Sequence, residues 1–227
     1  MAPFKPTLHL VDVPGSEGAD PLLLLPRETQ RAAFVFNGGQ GGPEDRAVWE
    51  TVTHAGWLCL SRDGLSSART IGALVFSLLP GGEALLVHSD DPLLQQLAGP
   101  RVRIHAPARG EVLGPEEVKR DLGVEPWQIP DYFALVGCPA LGTHGALGVD
   151  EPLARAILER FAGVEELAAR PDLLELLEMP SAKRLRALLR KQGDRLKGDA
   201  ARLNLHTGER IAVAPEAFRR RKYANLI

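Results

Sequence analysis

Ile129-Pro-Asp-Tyr-Phe-Ala-Leu-Val-Gly137 is the stretch from which the rest of the chain is read. It falls where the composition turns helical, and a helix is expected over Gln128–Val136. Immediately after it comes Gly137-Cys138-Pro139-Ala140-Leu141-Gly142, a turn-forming run without a single acid. Further helices are expected at Glu151–Phe161, Val164–Ala169, Pro171–Leu177 and Ser181–Lys197. In Glu151–Phe161 the residues Leu153, Ile157, Leu158 and Phe161 share one face, an amphipathic pattern.

Upstream the pattern changes. Leu8–Val13, Ala32–Phe36 and Ala84–Val87 are short, continuous apolar runs, each closed by a polar or Gly-rich turn, and Trp57–Leu60 is a fourth. Runs of this kind read as strands buried on both faces of a parallel sheet. Helices are expected between them at Pro43–Ala55, Ser67–Leu79 and Pro92–Leu97. Val102–His105 with Glu111–Leu113 reads as a small hairpin, succeeded by a short helix over Pro115–Asp121. Strands alternating with helices imply an α/β sheet with crossovers.

The 227 residues suit one large domain or one domain with a helical extension, and 44% hydrophobic content is enough for a packed core. No apolar run reaches membrane-spanning length, the N-terminus lacks the layout of a secretory signal, and two cysteines make no disulfide framework. A cytoplasmic location is expected. The net charge of −2 hides an asymmetry: from Ser181 on, thirteen basic residues face four acidic ones. The tail is therefore +9 on a body of −11, and can meet nucleic acid, an acidic partner or the body itself. The Arg219–Lys222 cluster is expected to be mobile.

Two segments resemble the bacterial and phage 5′-nucleases, the flap endonuclease and polymerase-I-type 5′→3′ exonuclease family. Leu122-Gly-Val-Glu-Pro-Trp-Gln-Ile-Pro-Asp-Tyr-Phe-Ala-Leu-Val-Gly137 is similar to that family's segment before its last pair of metal-binding acids. Gly145-Ala-Leu-Gly148-Val-Asp-Glu-Pro-Leu-Ala-Arg155 and its continuation to Phe161 resemble its helix–hairpin–helix. The order of landmarks holds over roughly residues 7–180. The resemblance implies an α/β, PIN-like parallel sheet flanked by helices, with a C-terminal helix–hairpin–helix subdomain. Expected domains are a nuclease-like core over 1–125, the hairpin subdomain over 126–180 and a basic helical extension over 181–227.

The same resemblance locates the losses. The family clusters carboxylates because two hard divalent cations must sit together over a phosphate. Leu10-Val11-Asp12 keeps the first acid, and Asp90 in His88-Ser89-Asp90-Asp91-Pro92 keeps another, with Asp91 expected to point elsewhere. Asn37 replaces the acid after the second strand. Ser67-Ala68-Arg69-Thr70 replaces the helix acids, and Cys138 and Leu141 the final pair. Arg69 is expected to pair with Asp12 or Asp90 as a substitute for metal. The connection Gly38–Ser66 is too short and too poor in basic residues to form the family's DNA-threading arch. Gly38-Gly-Gln-Gly-Gly42 has the glycines of a phosphate loop but not its Lys-Ser/Thr, and reads as a trimmed connection. Trp127 is expected to pack beneath the hairpin.

These readings imply a catalytically degenerate homologue acting in replication or repair by binding DNA, or a DNA-processing protein, and no membrane. The residual acids are Asp12 and Asp90, with no metal site expected. Candidate nucleic-acid contacts are Gly145, Gly148 and Arg155 in the hairpin, and Lys183, Arg184, Arg186, Arg190 and Lys191 on the basic helix. Two alternatives stand beside this. One is an active, Mg²⁺-dependent nuclease with an unconventional metal site; the other is an interaction subunit of a replication assembly that binds no DNA. No cofactor is expected except Mg²⁺ in the first of these.

Overall fold

Apolar runs without polar alternation must be covered on both faces, and a sheet with helices on either side is the arrangement that does it. A computed structural model describes residues 4–13, 20–38, 43–171, 174 and 182–221. Six strands form one sheet: β1 (Leu8–Asp12), β2 (Ala32–Val35), β3 (Leu58–Leu60), β4 (Leu85–His88), β5 (Val102–Ala106) and β6 (Glu111–Leu113). Their order is β3-β2-β1-β4-β5-β6. The first five are parallel, and β6 returns antiparallel on β5. The fold is thus mixed α/β with a mainly parallel sheet, as the alternation of runs implies.

The chain divides into two compact units, Met1–Gly114 with Leu205–Ile227, and Pro115–Asn204. In the first, side-chain alternation along β1 sends Val11 and Val13 to a core with Phe34, Phe36, Val52 and Trp57. Helix α1 (Pro43–His54) supplies Val48 and Trp49 to that cluster. Leu10 and Asp12 face the other way, toward α2 (Ser67–Leu78), which buries Ile71, Leu74 and Val75. Ser66 caps α2 by accepting the Arg69 N–H at 3.3 Å. The residues after Asn204 belong to this unit: Leu205 N–H donates to Gln96 Oε1 at 2.9 Å and Ile211 N–H to Ser77 Oγ at 2.8 Å.

The second unit is helical: α3 (Pro115–Leu122), α4 (Ile129–Val136), α5 (Glu151–Arg160), α6 (Val164–Ala169) and α7 (Ala182–Leu203). Most of Pro171–Leu177, read from sequence as helix, lies outside the described residues. The deciding stretch is α4, and polar residues at and just before its start tie helices together. Gln128 Nε2 donates to the Leu158 carbonyl at 2.7 Å, while its Oε1 accepts the Glu125 N–H at 3.1 Å. Asp131 accepts the Val164 N–H at 2.8 Å, fixing the start of α6. Replacing Gln128 by alanine leaves a buried carbonyl and an N–H without partners. The expected loss is about 2–3 kcal/mol, seen as a lower urea midpoint; an unmoved midpoint would refute the role.

Helix α7 runs past the Lys197 expected from sequence to Leu203, because Leu189, Leu196 and Leu203 continue one buried stripe. It packs on α4 and α6. Trp127 is 52% exposed rather than packed beneath the hairpin. It is the middle residue of a 3-10 turn, Pro126–Gln128, whose two neighbours both turn inward.

Candidate functional site

In an open parallel sheet, ligands sit beyond the carboxyl ends of strands where the strand order reverses. Here β1 is flanked by β2 and β3 on one side and by β4 and β5 on the other, so the reversal falls between β1 and β4. Both strands end there in polar residues: Asp12 on β1, and Ser89, Asp90 and Asp91 after β4.

Asp12 is 9% exposed. Its Oδ2 accepts the Ser89 hydroxyl at 2.7 Å, and Ser89 Oγ in turn accepts the Asp91 N–H at 3.0 Å. Oδ1 makes no hydrogen bond. Burial pushes the Asp12 carboxyl above its ordinary range, partly offset by the nearby hydroxyls of Ser67 and Ser89.

The two adjacent acids after β4 go separate ways. Asp90 turns outward and accepts the Ala108 N–H at 3.0 Å. Asp91 caps the 3-10 turn Pro92–Leu97 by accepting the Leu93 N–H at 2.8 Å. Burial raises the Asp91 carboxyl; the Leu93 N–H lowers it and the negative Asp12 raises it further. Asp91, expected from sequence to point elsewhere, is therefore the acid within electrostatic reach of Asp12.

The flanks of this crevice hold neutral polar groups. Asn37 Oδ1 accepts the Ser67 N–H at 2.9 Å, so the amide after β2 caps α2. Neither Asp12 nor Asp90 takes Arg69 as a partner among the described residues. The expected Arg69 pair is corrected: Ser89 and Ser67 stand at Asp12 instead. No three His, Cys, Asp or Glu side chains converge as a metal would require, among the described residues.

Sequence reasoning did not join His88 with two other histidines on adjacent strands, His9 and His105. His9 Nδ1 lies 2.9 Å from His88 Nε2, and His88 Nδ1 lies 2.9 Å from His105 Nδ1. His88 is 2% exposed, and burial, then the neighbouring His9 and His105, push it down to about 3. His9 and His105 are also lowered, chiefly by burial. The signal was present, a histidine within or just after each of three strand segments, but only the order β1-β4-β5 joins them.

In the helical unit, the loop from α4 to α5 folds on its glycines. Gly145 is buried at φ +69°, and a Cβ there would lie 2.6 Å from the Val136 carbonyl oxygen. Gly148 is exposed at φ +82°, beside Leu147, which is 69% exposed. Asp150 caps α5 by accepting the Leu153 N–H at 3.0 Å. Arg155 is engaged inside the unit, donating to the Leu122 carbonyl at 2.7 Å and to Glu151 at 2.8 Å. Arg195 and Arg202 of α7 donate to the carbonyls of Gly145 and of Leu141 and Gly142. Lys183, Arg190 and Lys191 are exposed, Arg186 is half-buried, and the Arg184 side chain lies outside the described residues.

No family model matches the chain. A 5′-3′ exonuclease of Aquifex aeolicus (strain VF5) is 32% identical over 137 residues, 60% of this chain and 47% of that protein. Flap endonuclease Xni of Salmonella newport (strain SL254) is 28% identical over 161 residues, 71% of this chain and 61% of that protein. The chain thus spans about half to three-fifths of the length of these curated relatives. Among solved structures, the T5 5′-exonuclease superposes with a TM-score of 0.69 at 12% identity, over 89% of each chain. Human GEN1 in complex with Holliday junction DNA gives 0.59 at 13% identity, over 95% of this chain and 64% of that one. No helix among the described residues is long and apolar enough to cross a membrane.

Proposed function

We propose that this chain, similar in sequence and in fold to the 5′-nucleases, is a catalytically degenerate member of that group that acts on DNA by binding it. The observation that carries this is the donor set at the sheet's reversal point. Two carboxylates, Asp12 and Asp91, stand among three neutral polar residues, Asn37, Ser67 and Ser89. Magnesium demands near-octahedral oxygen coordination, and a two-metal phosphodiester site needs several carboxylates to offset four positive charges. This set does not fit such a pair.

The DNA half of the reading is supported by the relatives, one named an exonuclease and another a flap endonuclease, and by neighbours in complex with DNA. It is further supported by the exposed Lys183, Arg190 and Lys191 on α7, since clustered cations suffice for sequence-independent grip. The loop from α4 to α5 serves as the helix–hairpin–helix in this reading, with Gly145 shaping it and Gly148 at its surface. A role in replication or repair, alone or with a DNA-processing protein, is inferred from the same relatives. One observation favours the active-nuclease alternative: Asp12 and Asp91 do lie within electrostatic reach of each other.

Incubating the full chain with a 5′-flap substrate and Mg²⁺ or Mn²⁺ separates the two. The expected result is no cleavage above that of Asp12→Asn. Turnover that this substitution abolishes would establish an active nuclease instead.

A further inference from the structure

The opposite edge of the sheet carries a second charged feature. Phe218 is fully buried, and the chain beyond it runs back along the N-terminal ends of β2 and β3. Arg219 bridges Arg31, Arg220 N–H donates to the Gln30 carbonyl at 3.2 Å, and Arg221 N–H donates to the Gly56 carbonyl at 2.8 Å. Gly56 sits at φ +86°, and a Cβ there would collide with the Arg221 carbonyl. Only glycine lets the two backbones approach this closely. The cluster expected to be mobile is therefore tied down over Arg219–Arg221; Lys222 lies outside the described residues.

Arg220, exposed like its neighbours, donates from Nε to the Ala55 carbonyl at 2.9 Å, with its guanidinium 5.3 Å from the Trp57 ring centre. With Arg31 and His54, the three tail arginines line a recess of about 980 Å³. Glu83 already neutralises Arg31, at 2.8 and 2.9 Å. Arg219 and Arg221 are exposed and have no carboxylate partner among the described residues. A guanidinium offers a planar fork that matches phosphate oxygens, and no carboxylate among the described residues meets these two.

We infer that Arg219 and Arg221, held on this recess, grip successive phosphates of a single nucleic-acid strand. Alternate residues of an extended chain lie about 6.6 Å apart, so both guanidiniums can engage one strand. The recess lies at the strand starts, roughly 13 Å of β2 away from the Asp12 edge. It anchors DNA apart from the carboxylate crevice rather than presenting it there. The inference rests on the DNA-binding reading above.

The test is fluorescence anisotropy of the full chain with a labelled single-stranded oligothymidine between 50 and 300 mM salt. For Arg219→Ala with Arg221→Ala, affinity at the lowest salt is expected to fall roughly tenfold or more. The slope of log K against log salt should shrink by about 1.4, roughly 0.7 for each phosphate no longer gripped. Lysine at both positions should keep most of the slope. The single Arg221→Ala, which leaves the Arg31 bridge, should lose about half of the change and serves if the double variant fails to fold. Binding by the unaltered chain that neither variant weakens overturns this site and leaves the DNA reading standing. An unaltered chain that binds nothing at 50 mM salt overturns both.

Discussion

Acidification from pH 7 to pH 5 is expected to remove about 2 kcal/mol of folding stability through His88 alone. His88 binds a proton near its ordinary 6.5 when unfolded, but only near about 3 when folded. Between those values the unfolded chain holds the extra proton, so stability falls as pH drops through that window. His9 and His105 are lowered too and add to the same trend. Glu28 near His9 and Asp90 near His105 soften it, since each favours the charged imidazole. Asp12, Asp91 and Asp131 work in the opposite sense, because their raised carboxyls take up protons in the folded state before the unfolded one. The loss should therefore begin just below pH 6.5. Urea denaturation at pH 7, 6 and 5 measures it directly. His88→Gln, which cannot charge, should flatten the dependence; a wild-type profile already flat, or one unchanged by the substitution, would sink the idea.

This histidine row marks what sequence can and cannot convey. Strand identity is legible because β1, β2 and β4 are continuous apolar runs, and only two-sided burial suits such runs. Which side chains meet across strands depends on sheet order, and His9, His88 and His105 are up to 96 residues apart in the chain. Adjacent acids pose a different difficulty. Nothing in Ser89-Asp90-Asp91-Pro92 says which carboxylate turns toward β1. The choice is made by the turn after them, where Asp91 must accept the Leu93 N–H and Asp90 is left to accept that of Ala108. Charge alone suggests an acid partner for Arg69, whereas short hydroxyls at the start of α2 and the end of β4 reach Asp12 first. The end of α7 is obscured by Gly193, Gly198 and its many charges. Burial of Leu196 and Leu203 settles it, an outcome of packing that helix propensity does not contain.

Substituting Gly38 by alanine should be among the most damaging single changes in the sheet unit. The glycines from Gly38 onward read in sequence as a trimmed connection, and residues 39–42 lie outside the described ones. Gly38 itself has a specific reason to be glycine. A Cβ would be driven into the Arg62 carbonyl and would lie 2.6 Å from the Leu65 carbonyl, to which Gly38 N–H donates at 2.6 Å. Both obstacles are backbone, so no rotamer change relieves them. The chain has to part the end of β2 from the loop that enters α2. That loop carries Ser66 and Ser67, and Asn37, next to Gly38, caps α2 through the Ser67 N–H. The clash therefore bears on the same contacts that set Ser67 beside Asp12. Overpacking of this kind costs about 3 kcal/mol, and more where backbone must move. Alanine at Gly81, where nothing lies within 4 Å, provides the comparison and should leave stability nearly unchanged. Matched urea midpoints for the two variants would mean that the close approach at Gly38 does not exist. A fall confined to Gly38→Ala would tie the shape of the carboxylate crevice to one missing methyl group.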